Sequence, residues 1–293
     1  MSGEDTPSRI DTGVAHPARR YDYWLGGKDN FAADRASGDL VEAQFPTIRL
    51  GVRENRQFMC RAVDYAVRQA GIGQFLDIGT GIPTSPNTHQ IAQEADPAAR
   101  IVYVDNDPLV LAHARALLTG TPQGRTVYLE ADLREPGKIL ENQDLRATLD
   151  RSRPVALMLL AVLHFLRDDE GPRAIVDTLI DALPDGSLVI ASHATLEHLP
   201  PEQAAAIVKA DGRAHPRSGA ELAALFARPD LELVEPVKSV SQWWPEGASE
   251  PRPAVADVAC NGLVARVVRP APAGGRLSPP PGASALAGVA RAM

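Results

Sequence analysis

The sequence predicts an α/β fold: a doubly wound, mainly parallel sheet with helices on both faces. Three observations predict it. Short apolar runs alternate with segments whose apolar residues recur at helical spacing. The first of these runs, Phe75 to Ile78 with Asp77 inside it, leads directly into the glycine-rich turn Gly79-Thr80-Gly81. The next, Ile101 to Val104, ends one helix later in Asp105. In such a sheet, right-handed crossovers bring successive strand ends to one edge, and ligands bind there.

Taken in order, residues 1–15 are polar and are expected to be disordered. Residues 16–56 are expected to form an N-terminal helical arm or lid. Within it, Tyr21 to Phe31 mixes aromatics, glycines and charges and reads as neither a clean helix nor a clean strand. A helix follows from Phe58, with Met59, Ala62, Val63, Ala66, Val67 and Ala70 on one face and Gly71 as its stop. Strand one is Gln74–Ile78, followed by a helix over Thr88–Glu94. Strand two is Ile101–Asp105. Asp107 then caps a helix with Pro108 at its first position and Leu109, Val110, Leu111, Ala114, Leu117 and Leu118 on its apolar side.

Strand three is Thr126–Glu130, ending at Ala131-Asp132. Strand four, Pro154–Leu160, is the continuous apolar run of a buried parallel strand. A helix through Ile175, Val176, Leu179, Ile180 and Leu183 turns at Pro184-Asp185-Gly186 into strand five, Ser187–Ser192. Ser218 and Glu221 form a capping box for the next helix. Leu231–Val234 and Gly262–Val268 read as two late strands paired across a long loop. The main domain is thus expected over 16–269, and 270–293, rich in Pro, Gly and Ala, as a disordered tail.

The 293 residues suffice for one α/β domain of roughly 200–250 residues with appendages. A formal net charge of −7 argues against a dedicated nucleic-acid or membrane-surface binder and tilts the partner towards a small molecule. Cys60 and Cys260 lack metal-ligand spacing and read as free thiols of a reducing compartment. The polar N-terminus has no signal core, and the longest apolar stretch, Val155 to Leu163, falls far short of the roughly 20 residues of a membrane span. The expectation is a cytoplasmic protein with no membrane segment.

Charge discriminates between cofactors. A dinucleotide fingerprint needs G-x-G-x-x-G with pyrophosphate on the helix N-terminus. Here the spacing is Gly79-x-Gly81-x-x-Thr84, without the third glycine, and Asp77 at the mouth would repel a diphosphate. S-adenosylmethionine (SAM) carries an ammonium and a sulfonium instead, and a carboxylate suits both. Asp105 suits the ribose hydroxyls. A nicotinamide-dependent oxidoreductase is therefore disfavoured, while a non-catalytic protein that binds SAM or S-adenosylhomocysteine (SAH) remains the alternative to an enzyme.

With these residues in hand, the chain resembles class I SAM-dependent methyltransferases. More narrowly, it is similar to the actinobacterial S-adenosyl methyltransferase family first catalogued as a domain of unknown function. The similarity lies in Arg20–Phe31, Gln74–Pro83, Val102–Pro108, Ala131–Arg134, Val162–Phe165 and Leu231–Pro236. It implies a Rossmann-like seven-stranded sheet whose last strand is antiparallel, and SAM as cofactor. By the same resemblance Asp77, Gly79, Thr80 and Gly81 contact the methionine part, Asp105 and Asn106 the ribose, and Asp132 and Leu133 the adenine. Pro83 stands where many class I enzymes carry a third glycine, which stiffens the loop.

Other candidates follow from position. His164, after strand four, is the candidate general base or nucleophile-positioning group; its bland counterpart is a satisfied buried histidine. His193, expected just after strand five, is a weaker candidate. Tyr21 and Tyr23 offer ring faces to a cation, and Gly26-Gly27 a hinge. Lys28 and Arg56 are candidates for the methionine carboxylate. Trp243-Trp244 reads as core anchoring more than pocket wall. His193 and His198 do not share a helix face, so no metal site is expected.

Overall fold

The protein is described by a computed structural model, which covers residues 10–117, 120–244 and 252–269. Most of the expected disordered N-terminus and all of the 270–293 tail lie outside the described residues, as do Leu118 and the side chains of Ala114 and Leu117.

Three helices open the chain: α1 (Pro17–Leu25), α2 (Ala32–Gln44) and α3 (Ile48–Arg68). The core then alternates: β1 (Gln74–Ile78), α4 (Thr88–Ala95), β2 (Arg100–Asp105), α5 (Pro108–Leu117) and β3 (Arg125–Glu130). Two short helices, α6 (Pro136–Glu141) and α7 (Gln143–Thr148), lead to β4 (Ala156–Leu160). After two 3-10 turns come α8 (Pro172–Asp181), β5 (Leu188–Ala194), α9 (Pro201–Asp211) and α10 (Gly219–Leu225). The chain closes with β6 (Leu231–Leu233), β7 (Lys238–Ser239), α11 (Val255–Val258) and β8 (Cys260–Val267).

The sheet runs β3-β2-β1-β4-β5-β8-β6, and β7 also pairs with β8. It is seven positions wide, because β6 and β7 share the edge beyond β8, and it contains eight strands. Strands β1 to β5 are parallel, and β8 enters antiparallel to β5. The strand period of two divides the core between the faces. Leu76, Val102, Leu157 and Val189 point towards α6, α7 and α8, while Phe75, Ile101, Met158 and Ile190 point towards α3 and α4. Both faces are covered, which is why these strands read as unbroken apolar runs. Trp243 anchors the second face, edge-on to Phe58 at 5.4 Å and to Tyr65 at 5.9 Å.

The N-terminal arm is helical as expected, but within it the Tyr21–Phe31 stretch departs from expectation. Tyr21 to Leu25 belong to a regular helix that stops at Gly26, whose φ of 86° is the left-handed cap conformation. The two glycines therefore end a helix: a Cβ on Gly27 would fall 1.9 Å from Asp22 Oδ1. In α2, Asp34 caps the entry by accepting from the Phe31 N–H at 2.8 Å. Helix α3 begins ten residues before Phe58, its face continuing through Val52 and the buried Asn55. His193 lies inside β5, not after it, and is fully buried.

Candidate functional site

Strands β1, β2 and β3 end side by side, and the residues beyond them open onto a cavity of about 660 Å³. Its floor is the C-terminal edge of the sheet from β3 to β5. Its roof and far wall are α1, α2, the start of α3 and α9. Of the candidates, Tyr21, Arg56, Asp77, Gly79, Thr80, Gly81, Asp105, Asn106, Asp132, Leu133 and His164 all line it. Lys28 does not; it is exposed at the tip of the turn after α1. Tyr23 also points elsewhere, hydrogen-bonding Asp39 and lying under the Arg49 guanidinium.

The turn after β1 is held by backbone geometry. Gly79 and Thr80 both donate to the Val104 carbonyl, at 2.8 and 3.2 Å. Gly79 has φ 75° and lies so close to β4's exit that a Cβ would sit 2.5 Å from Val162 Cγ2. Gly81 has φ 67°, and a Cβ there would meet only Ala18 Cβ at 4.0 Å, an ordinary contact, so only its backbone conformation demands glycine.

Asp77 accepts from Thr88 Oγ1 at 2.7 Å. Burial pushes its pKa up to about 6, against the pull of that hydrogen bond and of nearby Arg56. Asp105 accepts from the N–H groups of Gly81 (2.8 Å) and Asp107 (2.9 Å), and burial pushes its pKa up to about 6 as well. Neither carboxylate has an ion-pair partner among the described residues. Asp132 differs: burial opposes its charge, but the Arg134 N–H, the Asn106 amide and the Arg134 guanidinium hold its pKa below the usual range.

Tyr21 presents its ring with the hydroxyl already engaged. It donates to the Val52 carbonyl at 3.1 Å and accepts from Asn55 at 3.0 Å. From α3, Arg56 clamps the loop that follows the glycine turn, one amino group donating to the carbonyls of Thr84 and Pro86.

Beyond β4 the chain turns at Ala161, whose φ of 50° is left-handed and unusual for a residue with a Cβ. That turn places His164 in a 3-10 segment at the cavity edge. Its pKa is well below the ordinary value, because of burial first and then of His193, Arg20, Arg217 and His215. His164 Nδ1 accepts a long bond, 3.4 Å, from the Ala194 N–H, which leaves the ring proton on Nε2. A neutral ring in this tautomer can donate through Nε2 but cannot accept there.

Sequence patterns alone do not single out several residues that shape this site. Arg19 forks onto Asp107 at 2.9 and 3.0 Å and ties α1 to the end of β2. Arg20 forks onto Asp211 at 3.1 Å and ties α1 to α9. The adjacency of two arginines to the aromatic stretch is the available signal; their distant partners leave none.

The chain matches the family described as S-adenosyl methyltransferase over residues 3–268. It belongs to the S-adenosyl methyltransferase family. The methyltransferase is also similar to solved structures. A DUF574-family protein from Streptomyces avermitilis shares 46% identity, covering 88% of this chain and 100% of that one, with a TM-score of 0.83. A candidate methyltransferase from Thermobifida fusca shares 37% identity, covering 91% and 100%, with a TM-score of 0.80. The plantazolicin methyltransferase BpumL, solved with a triazolic desmethylPZN analogue and SAH, shares the fold alone, at 11% identity, 86% and 96% coverage, and TM-score 0.50. A search of the curated proteins returned no match. The protein is thus a SAM-dependent methyltransferase with a Rossmann-like sheet and SAM as its cofactor. Among the described residues, no helix is long and apolar enough to cross a membrane.

Proposed function

We propose that this methyltransferase acts on a small-molecule acceptor inside the roofed cavity, and that the three strand-end carboxylates hold the cofactor. The observation that carries the reading is the pair Asp77 and Asp105: buried, facing one cavity, raised to about 6, and without a cationic partner among the described residues. Buried carboxylates in that condition are costly unless a cation arrives. SAM supplies that cation, together with an electrophilic methyl group.

In this reading Asp77, Gly79, Thr80 and Gly81 receive the amino-acid end, and the Arg56 clamp keeps their turn in place. Asp105 and Asn106 receive the ribose, and Asp132 and Leu133 the adenine. Lys28, expected at the methionine carboxylate, has no part here because it is exposed outside the cavity. Methyl transfer to a nucleophile needs alignment and exclusion of water more than side-chain chemistry. The arm over 16–56 serves as the lid that excludes water, and His164 orients the accepting atom through Nε2–H. A helical roof of this kind admits a small molecule more readily than a macromolecule. Two unpaired cysteines, Cys60 and Cys260, support a reducing, cytoplasmic setting.

Two measurements test the proposal. Calorimetry should show SAM and SAH binding and no heat with NAD. Methyl-labelled SAM, incubated with enzyme and a fractionated cell extract, should label the small-molecule fraction. Label confined to protein or nucleic acid would overturn the acceptor assignment.

A further inference from the structure

The carboxylates occupy only one half of the cavity. They sit beyond β1, β2 and β3, whereas the other half lies beyond β4 and β5 under the helical roof. That second half is built from two small apolar clusters separate from the sheet cores. One gathers Trp24, Val41 and Val52; the other gathers Phe45, Ile207 and Ala259 with Leu196; Ile48 packs against both.

The charges that reach this half are already engaged: Arg56, which acts on Tyr21, is turned to the carbonyls of Thr84 and Pro86 on the cofactor side. Arg20 is 2% exposed and is forked onto Asp211. The Tyr21 hydroxyl is engaged by Val52 and Asn55. Cys260 is a buried thiol whose pKa burial pushes up to about 12, so it carries no charge. His164 is neutral. Arg213 and His215 stand at the exposed rim, where water screens them. An ion placed among Trp24, Phe45 and Ile207 would lose its hydration and find no free counter-charge. An uncharged molecule would lose nothing comparable, and its apolar body would cover the two clusters.

We infer that the methyl acceptor is an uncharged, mainly apolar small molecule, seated against Trp24, Phe45, Ile48 and Ile207 with its one polar, methyl-accepting atom turned towards His164. This inference rests on the methyltransferase reading of the cavity and adds the chemical class of its substrate. An acidic or cationic acceptor, such as a carboxylic acid or an alkylammonium, is excluded by the same walls.

Three probes of one shape test it: 2-naphthalenemethanol, 2-naphthoate and 2-naphthylmethylammonium, titrated calorimetrically into protein saturated with SAH. The neutral alcohol should bind at least tenfold more tightly than either ion. Ile207→Asp should weaken the alcohol at least tenfold and favour the ammonium, with SAH affinity unchanged as the check on folding. Wild-type protein that binds SAH but prefers an ion, or takes none of the three, overturns the acceptor class while leaving the cofactor site intact. Protein that fails to bind SAH at all overturns the reading beneath it.

Discussion

Arg217 Nη1 lies 3.1 Å from His193 Nε2. The His193 Nδ1 donates to the Ala194 carbonyl at 2.8 Å, so its Nε2 is a free acceptor and the tautomers agree. Burial pushes the His193 pKa down to about 4, and the guanidinium adds to the effect. The same guanidinium donates to the carbonyls of Leu163 (3.3 Å) and Leu166 (3.0 Å), the two ends of the turn that carries His164. One buried cation thus stitches β5 to the exit of β4, from outside the cavity.

Removing Arg217 leaves the Leu166 carbonyl and an imidazole nitrogen without a donor, while the Leu163 carbonyl keeps the Leu166 N–H at 3.1 Å. Each such orphan costs about 1–3 kcal/mol when water cannot reach it. Arg217→Ala should therefore lower unfolding stability by at least that amount in a urea titration, while SAM affinity changes less than twofold. Arg217→Lys keeps the charge but not the fork and should recover only part of the loss. A urea midpoint unchanged in the alanine variant would show that this turn holds itself.

The two glycines of the cofactor turn should respond differently to alanine. Gly81→Ala makes only an ordinary contact with Ala18 and suffers only its left-handed φ, about 1–2 kcal/mol of stability. Gly79→Ala suffers that and also collides with Val162. It should lose more stability and weaken SAM binding, because the backbone must move off its Val104 anchor. Adding Val162→Ala should restore part of the loss but not the backbone strain. Equal behaviour of the two single variants would refute the close-approach account.

Cofactor affinity should depend on pH with a definite sign. Asp77 and Asp105 have pKa values raised to about 6 in the free protein, against an unperturbed 3.8. Between those values the folded state holds protons that the unfolded chain has released, so stability falls as pH rises through that window and levels off above about 6. A bound cation favours the charged carboxylates, so binding below pH 6 releases protons. SAM affinity should rise from pH 5 to pH 7 and then flatten. Calorimetry in two buffers of different ionisation enthalpy would count the protons; none released at pH 5.5 would contradict the assignment.

The arm over the cavity should be latched by Arg20 and Asp211. The pair joins α1 to α9 across the roof, with the guanidinium also lying over Trp24 at 5.5 Å. Arg20→Met keeps the apolar stem but not the fork. Hydrogen exchange in α1 should quicken, and SAM should dissociate faster, if the arm is the lid. Unchanged exchange in α1 would make the roof a fixed wall.

How much of this was legible follows from what each segment buries. The central parallel strands were readable because both faces are covered, which forces the apolar runs of β1, β2 and β4, with Asp77 inside the first and Asp105 closing the second. Helix α1 was not, because three of its four buried residues, Arg19, Arg20 and Asp22, are charged and find their partners outside the helix. Arg19 meets Asp107, Arg20 meets Asp211, and Asp22 meets Asn30, so buried charges look like a solvated surface in the sequence. The same ambiguity makes Lys28 attractive beside two glycines, although a helix cap at Gly26 turns it outward. His193 was misplaced by the boundary of β5, which pairing with β8 extends through Ala194.

The two carboxylates themselves offer the sharpest contrast, because neutralising them should act in opposite directions on the free protein. Asp77 is held by one side-chain hydroxyl, Thr88 Oγ1, which an amide oxygen can accept from equally well. Asp77→Asn therefore removes a buried charge at no loss of hydrogen bonding and should raise the melting temperature of the free enzyme at pH 7.5. Asp105 instead accepts from two backbone N–H groups, those of Gly81 and Asp107, one on each oxygen. In Asp105→Asn one of these donors faces an NH₂ group, so the free enzyme should melt lower. Both variants lose an attraction to the cofactor, about 1–3 kcal/mol or roughly 5- to 150-fold in SAM affinity. A stabilised free enzyme with weakened SAM binding in Asp77→Asn, and a weakened enzyme on both counts in Asp105→Asn, is the expected pair of results. If Asp77→Asn instead binds SAM as tightly as the wild type, the buried charge is not the cofactor's counter-ion.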